Sequence, residues 1–164
     1  MSVSGSITIE VSPEEAYDAV SDVRQMGRWS PENRGARIDG AFKAAYVGMR
    51  FVGDNKRGPA TWQTGCIVTA ADRGRRFAFD VNRYGKGRLM LPVSVASWSY
   101  DFRPVDGGTL VTEAWTDGRT LWPDVATRLF DPIATRRASF AEFQEGNIRR
   151  TLARLKKELE SEST

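Results

Sequence analysis

The last part of the chain carries the feature that most restricts its fold, a long amphipathic helix predicted from Asp131 to Glu160. Apolar residues recur along it, and the final four follow each other at intervals of 4, 3 and 4 residues. The apolar positions are Ile133, Phe140, Phe143, Ile148, Leu152, Leu155 and Leu159. This spacing puts them on one face of an α-helix. At 1.5 Å per residue the helix is roughly 40 Å long, enough to cross a whole sheet. We expect a cavity between this helix and the sheet, and we expect the functional site to lie inside that cavity.

Composition indicates one domain over residues 1–164 with a sizeable core. With 40% hydrophobic and 27% charged residues, the chain is typical of a soluble globular protein. The first residues lack the pattern of a signal peptide, and no apolar run is long enough to span a membrane. Cys66 is the single cysteine, so an internal disulfide is excluded. We therefore expect a cytoplasmic protein.

The charged residues and the absence of histidine exclude several functions. The net charge is only +3, and the densest basic cluster alternates with glutamates on the C-terminal helix. This pattern is typical of a solvated helix face, so no nucleic-acid partner is expected. Without histidine the chain lacks the commonest general base and metal ligand. We expect no metal and no cofactor, and any catalysis would use carboxylates, Tyr, Arg, Lys or water.

The N-terminal region reads as one strand followed by two short helices. Alternating apolar residues predict a strand over Ser4–Val11. Ser12 and Glu15 have the spacing of a capping box, which predicts a helix from Pro13 to about Val20. A second short helix is predicted over Asp22–Trp29.

The middle of the chain reads as strands joined by turns. The predicted strands are Gly48–Arg57, Ala60–Ala71, Arg75–Arg83, Pro92–Pro104 and Thr109–Asp117. Tyr84–Gly87 is predicted to be a mobile loop, and Gly107-Gly108 a tight turn between the last two strands. Strands followed by a closing helix make an α+β fold.

The segment before the long helix reads as a rim of the expected cavity. It is predicted to form a loop over residues 121–124 and a helical turn over 125–130, with Asp131 as the helix N-cap. Trp122 would act there as a lid or a dimer contact, and both a monomer and a homodimer stay open. Gly146 interrupts the helix pattern, and we expect it to let the helix approach the sheet or to open the cavity.

Five local segments, in the right order, resemble the START-like superfamily, and in particular its polyketide cyclase/dehydrase branch, also called SRPBCC proteins. They are Val11–Tyr17, Met26–Glu32, Gly48–Asn55, Trp98–Phe102 and Val111–Trp115, followed by a helix with Asn147, Leu152 and Leu155. The resemblance implies a helix-grip fold, in which a curved antiparallel sheet of about six or seven strands wraps around a long C-terminal helix. It also implies two short helices after the first strand and an internal pocket for lipids, sterols, polyketides or other apolar molecules. Some members cyclise or dehydrate polyketides, and others only bind.

Strand alternation selects the residues that would line this pocket, because every second side chain points to the same face. The ligand-binding candidates are Phe51, Asn55, Arg57, Trp62, Phe79, Trp98, Tyr100 and Trp115, together with Trp29 after the second helix. They describe an aromatic cavity with a few polar groups, as is usual for small-molecule sites. For each aromatic residue the alternative is ordinary core packing, and Trp29 is either a gate or a plug.

Glu113 is the sharpest polar candidate, because it lies between Val111 and Trp115 on a face expected to be buried. A buried carboxylate needs a partner or takes a raised pKa, which suits a general acid or base. Glu113 and Tyr100 are therefore the catalytic candidates. The alternatives are a structural bond from Glu113 to Arg57, Asn55 or the first helix, or a register that exposes it.

Three functions remain open from the sequence. The first is a carrier or sensor that binds a hydrophobic or aromatic small molecule. The second is a polyketide cyclase, aromatase or dehydratase, with proton transfer by Tyr100 and Glu113 while Arg57 and Asn55 polarise a carbonyl. The third is a protein-interaction module whose interior is filled by its own side chains.

Overall fold

Seven antiparallel strands form one open sheet in the computed structural model, which describes residues 1–119 and 140–163. The strands are β1 Ser2–Ile9, β2 Asn33–Ile38, β3 Arg50–Arg57, β4 Ala60–Asp72, β5 Arg76–Lys86, β6 Leu89–Val105 and β7 Gly108–Asp117. Their order across the sheet is β1-β7-β6-β5-β4-β3-β2. Consecutive strands from β2 to β7 are thus neighbours, and β1 joins the sheet beside β7.

Three helical elements accompany the sheet in the described residues. Helix α1 spans Pro13–Ser21, a 3-10 helix spans Val23–Arg28, and helix α2 spans Phe140–Glu162. The predicted capping box at α1 is confirmed: Ser12 Oγ accepts from the Glu15 amide at 3.2 Å, and the Ser12 amide donates to Glu15 Oε2 at 2.9 Å. The predicted α+β fold, with two short helices after the first strand and a long C-terminal helix, is confirmed.

The helices cover only part of the sheet's inner face. Helix α2 packs against β1 and β7 at one side of the sheet. Tyr17 of α1 fills one end of the inner face, where its ring meets Phe77 and Phe102 edge-on at centroid distances of 6.4 and 5.7 Å. These contacts leave the rest of the inner face of β3–β6 uncovered, and this is where a cavity can form.

Several predicted boundaries were wrong. The first strand is Ser2–Ile9 rather than Ser4–Val11. Most of the predicted loop Tyr84–Gly87 is strand, with only Gly87 in a turn, because Tyr84 pairs with Thr64 on β4 and with Leu91 on β6. Strand pairing therefore continues to Lys86, past a register shift between Val81 and Arg83 that the alternation pattern did not indicate.

Other predictions lie outside the described residues. These are the loop over 121–124 with Trp122, the helical turn over 125–130, and the start of the long helix at Asp131. The described part of that helix begins at Phe140 and continues to Glu162, two residues beyond the predicted end.

Gly5, and not Gly146, is the glycine at which helix and sheet approach most closely. A Cβ on Gly5 of β1 would lie 2.9 Å from Ile148 Cγ2, whereas the nearest atom to a Cβ on Gly146 is Arg150 Nη2 at 4.0 Å. The expectation that Gly146 permits close packing was wrong, because its Cβ direction points away from the sheet contact.

Alanine at these two glycines should therefore have opposite effects on stability. Gly146→Ala should raise the free energy of unfolding by about 1 kcal/mol, because it lowers the entropy of the unfolded chain without a clash. Gly5→Ala should lower it by about 1–3 kcal/mol, because Ile148 must move. Urea unfolding of both variants tests this, and a stabilising Gly5→Ala would contradict the packing described.

Candidate functional site

A cavity of about 680 Å³ lies between the inner face of β3–β6 and the first half of α2. Its volume falls in the range of small-molecule sites. Among the described residues its wall includes every predicted ligand-binding residue except Trp29: Phe51, Asn55, Arg57, Trp62, Phe79, Trp98, Tyr100 and Trp115. Glu113 lines it as well. Strand alternation thus brought the right faces together, and the binding role of these residues stays a prediction.

Trp29 belongs to the core and is not part of the cavity wall. Its side chain is 1% exposed, and the guanidinium of Arg28 lies over its ring at 5.7 Å. Arg28 itself is held by Glu158 and Glu162 at the end of α2. The prediction of a ligand contact at Trp29 is therefore corrected: the residue plugs the core beside the 3-10 helix.

Aromatic rings and two arginines shape the cavity near the start of α2. Arg57 lies over the Phe143 ring at 4.2 Å and over the Trp62 ring at 5.3 Å, and its Nε donates to Glu32 Oε1. Arg119 lies over Phe140 at 4.8 Å. Such stacking lets a guanidinium join an apolar wall while it keeps its charge.

The polar groups of the wall are largely engaged with one another. Arg119 donates to both carboxylate oxygens of Asp117, at 2.9 and 2.7 Å. Asn55 Nδ2 donates to Thr64 Oγ1 at 3.1 Å. Asn147 Nδ2 donates to Glu32 Oε2 at 3.3 Å, so it binds the same carboxylate that pairs with Arg57. The wall therefore presents a pre-ordered polar network beside its rings.

Wall residues that could not be found by strand alternation include Arg119, just after β7, and Gln144, Asn147, Arg150 and Thr151 of α2. Gln144, Asn147 and Thr151 are buried on the same helix face as Ile148. A signal was present, because polar residues inside an apolar helical stripe need partners and so mark a site rather than plain core.

Glu113 and Tyr100 form the most unusual part of the site. Glu113 is 2% exposed, and the Tyr100 hydroxyl donates to its Oε1 at 2.7 Å. Its other oxygen, Oε2, is buried without a hydrogen-bond partner in the described part of the chain. Burial raises the pKa of Glu113 from 4.5 to about 8, against the lowering effect of the Tyr100 hydrogen bond. Glu113 is thus mostly a neutral carboxylic acid at pH 7.

The partner of Glu113 differs from those considered in the sequence analysis. Arg57 is paired with Glu32, and Asn55 is bonded to Thr64, so neither is the partner. Tyr100 stands directly opposite Glu113 in the β6–β7 pairing. Burial, with the nearby Glu113, also raises the pKa of the Tyr100 hydroxyl well above its usual value.

Cys66 lines the cavity but is not a nucleophile candidate. It is buried, and burial raises the pKa of its thiol to about 12, so the reactive thiolate is absent at neutral pH. The residues described also contain no group of three or more His, Cys, Asp or Glu placed to hold a metal ion.

Comparison with known proteins agrees with this architecture. Residues 1–160 match the family described as polyketide cyclase / dehydrase and lipid transport. The chain belongs to this family. The predicted resemblance to START-like proteins is thereby confirmed, while comparison with curated proteins finds no match.

Solved structures include relatives over nearly the whole chain. The Polyketide_cyc-like protein Cgl2372 from Corynebacterium glutamicum is 25% identical, with a TM-score of 0.60 and coverage of 98% of this chain and 92% of its own. A START superfamily protein from Mycobacterium smegmatis has a TM-score of 0.68 at 13% identity, over 98% and 97% of the two chains. DynU16, a putative protein in the dynemicin biosynthetic locus, has a TM-score of 0.61 at 14% identity, over 97% of this chain and 47% of DynU16. The latter two show a shared fold only.

The family spans transport and catalysis, so membership alone does not choose between them. With regard to membranes, none of the helices within residues 1–119 and 140–163 is long and apolar enough to cross a bilayer.

Proposed function

We propose that this protein binds an apolar, ring-containing small molecule in its internal cavity and acts as a carrier or sensor. The observation that carries the proposal is the cavity of about 680 Å³, whose wall combines aromatic side chains with polar groups that are largely bonded to one another. Flat rings stack favourably on such walls, and burial of the ligand's apolar surface supplies the binding energy. The lipid-transport part of the family description is consistent with this role.

Binding can be tested with a polycyclic aromatic probe and three alanine variants. Trp62→Ala and Trp98→Ala remove half-buried rings from the cavity wall, whereas Tyr46→Ala removes an exposed ring outside it. With 2-acetylanthracene in equilibrium dialysis, each wall variant should bind about tenfold more weakly, the worth of one lost aromatic contact. Tyr46→Ala should bind like the wild type. Equal affinities for all four proteins, or no binding, would contradict the proposal.

A second candidate function is a proton-transfer reaction on the bound molecule. The specific observation in its favour is the Tyr100–Glu113 pair in the cavity wall, with a carboxyl group whose pKa of about 8 lies near neutral pH. A group with such a pKa exchanges protons readily with a substrate. Glu113→Gln separates the candidates, because it should abolish turnover by an enzyme and leave the affinity of a carrier almost unchanged.

The third function considered above, a protein-interaction module, requires a filled interior. The cavity volume argues against it, since close-packed cores leave few voids larger than a water molecule.

A further inference from the structure

The Tyr100–Glu113 pair in the cavity wall also limits which molecules fit there. Tyr100 supplies one hydrogen bond to Glu113 Oε1, and this uses the only proton of the tyrosine hydroxyl. Glu113 borders the cavity, and its Oε2 is buried without a hydrogen-bond partner among the described residues. An unpaired buried oxygen costs free energy, which a ligand with a matching polar atom would recover.

Within residues 1–119 and 140–163, no cation neutralises Glu113 from the elements packed around it. On β1 the opposite residue is Gly5, and on β6 it is Tyr100. Helix α2 packs over Gly5 with the apolar side chains of Ile148 and Leu152. These neighbours favour the protonated carboxyl.

The arginines of the cavity wall are engaged elsewhere. Arg57 is paired with Glu32, and Arg119 with Asp117, the carboxylate that follows Glu113 along β7. Arg150 donates to Asn147 Oδ1 at 2.7 Å. The carboxyl of Glu113 is therefore a hydrogen-bond donor through Oε2, because its other oxygen already accepts from Tyr100.

On the basis of the proposed function, we propose that the ligand carries a carbonyl oxygen which accepts a hydrogen bond from the carboxyl group of Glu113. The ligand class is then an apolar ring ketone or quinone. Hydrocarbons leave the donor unpaired. A carboxylate ligand would bring a second acid to a carboxyl that no cation faces in the described part of the chain. The raised pKa of Glu113 agrees with this assignment, because the donor form predominates at neutral pH.

Two ligands that differ at one position test this inference. 2-Acetylanthracene has a carbonyl group, and 2-isopropenylanthracene replaces its oxygen with a CH₂ group of similar shape. Dissociation constants are measured at pH 6 by equilibrium dialysis for the wild type, Glu113→Gln and Glu113→Leu. For each protein, the affinity for the ketone is divided by the affinity for the olefin, and this ratio is compared with the ratio for Glu113→Leu. The hydration of the free ligands is the same for every protein, so it cancels in the comparison.

The wild type and Glu113→Gln should each favour the ketone about five- to tenfold relative to Glu113→Leu, the worth of one buried hydrogen bond. At pH 9.5 the wild type should lose this preference, because an ionised carboxylate only accepts hydrogen bonds. Glu113→Gln should keep it, because its amide donates at both pH values.

A ratio that is the same in all three proteins overturns the inference and leaves the proposed function intact. A preference that persists in the wild type at pH 9.5 also overturns it. Failure of both ligands to bind contradicts the proposed function, and the inference falls with it. If Glu113→Leu does not fold, the comparison of the wild type with Glu113→Gln at the two pH values decides.

Discussion

Glu113→Gln is expected to stabilise the protein strongly at pH 8.5 and hardly at all at pH 4.5. In the folded wild type, burial raises the pKa of Glu113 from 4.5 to about 8. Below pH 4.5 both the folded and the unfolded chain hold the proton, so this group has no pH-dependent effect. Between pH 4.5 and 8 the unfolded chain releases the proton and the folded chain keeps it, so stability falls as the pH rises.

The expected magnitude follows from the size of the shift. Each pKa unit corresponds to about 1.4 kcal/mol, so the wild type should lose several kcal/mol of stability across this window. Glutamine has the same shape and does not titrate. The difference in unfolding free energy between Glu113→Gln and the wild type should therefore grow by about 3 kcal/mol or more from pH 4.5 to pH 8.5.

Urea unfolding at a series of pH values measures this difference, and all other titrating groups cancel in it. Tyr100→Phe is the companion variant: it removes the hydrogen bond that lowers the pKa of Glu113, so the decline should continue to a higher pH. A difference that is independent of pH would mean that Glu113 ionises normally in the folded protein, contrary to its burial.

Trp29→Ala is expected to destabilise the protein by about 3–5 kcal/mol, which is typical of a large aromatic side chain lost from a core. Trp29 is 1% exposed and outside the cavity wall, so its removal leaves a void that the surrounding core cannot readily fill. For a chain of this size the melting temperature should fall by roughly 10 °C or more.

Trp62→Ala is the matched control. Trp62 is half-buried and borders the existing cavity, so its loss enlarges a space already present and should cost only about 1 kcal/mol, including its contact with Arg57. For ligand affinity the order of the two effects should be reversed. Folded Trp29→Ala protein should bind 2-acetylanthracene normally, and Trp62→Ala should bind it weakly. Weak binding by folded Trp29→Ala together with normal binding by Trp62→Ala would instead favour the alternative in which Trp29 is a gate to the cavity.

Local patterns in the sequence were sufficient for much of the fold. The capping box at Ser12 and Glu15 depends on residues three apart, and the turn at Gly107-Gly108 on two adjacent glycines with φ of +84° and +146°. Alternation along single strands placed Trp62, Trp98 and their neighbours on one face. Each of these patterns spans only a few residues, so it can be recognised in the sequence without knowledge of the tertiary structure.

The Tyr100–Glu113 pair was within reach of the sequence but was not identified. The turn at Gly107 makes Val105 pair with Gly108, and counting five residues back along β6 and forward along β7 from that pair leads to Tyr100 and Glu113. Both were predicted as cavity residues, and the partners expected for Glu113 were Arg57, Asn55 or the first helix. Register counting from a tight turn would have found the hydroxyl partner.

Apolar faces, helix caps and the strand register at a tight turn could all be predicted from the sequence, because each depends on neighbours along the chain. Packing in three dimensions was needed to show that Trp29 belongs to the core, that Arg57 pairs with Glu32, and that Gly5 admits helix α2. Those outcomes depend on how elements distant in sequence pack, since the burial and the partner of a side chain are properties of the space around it.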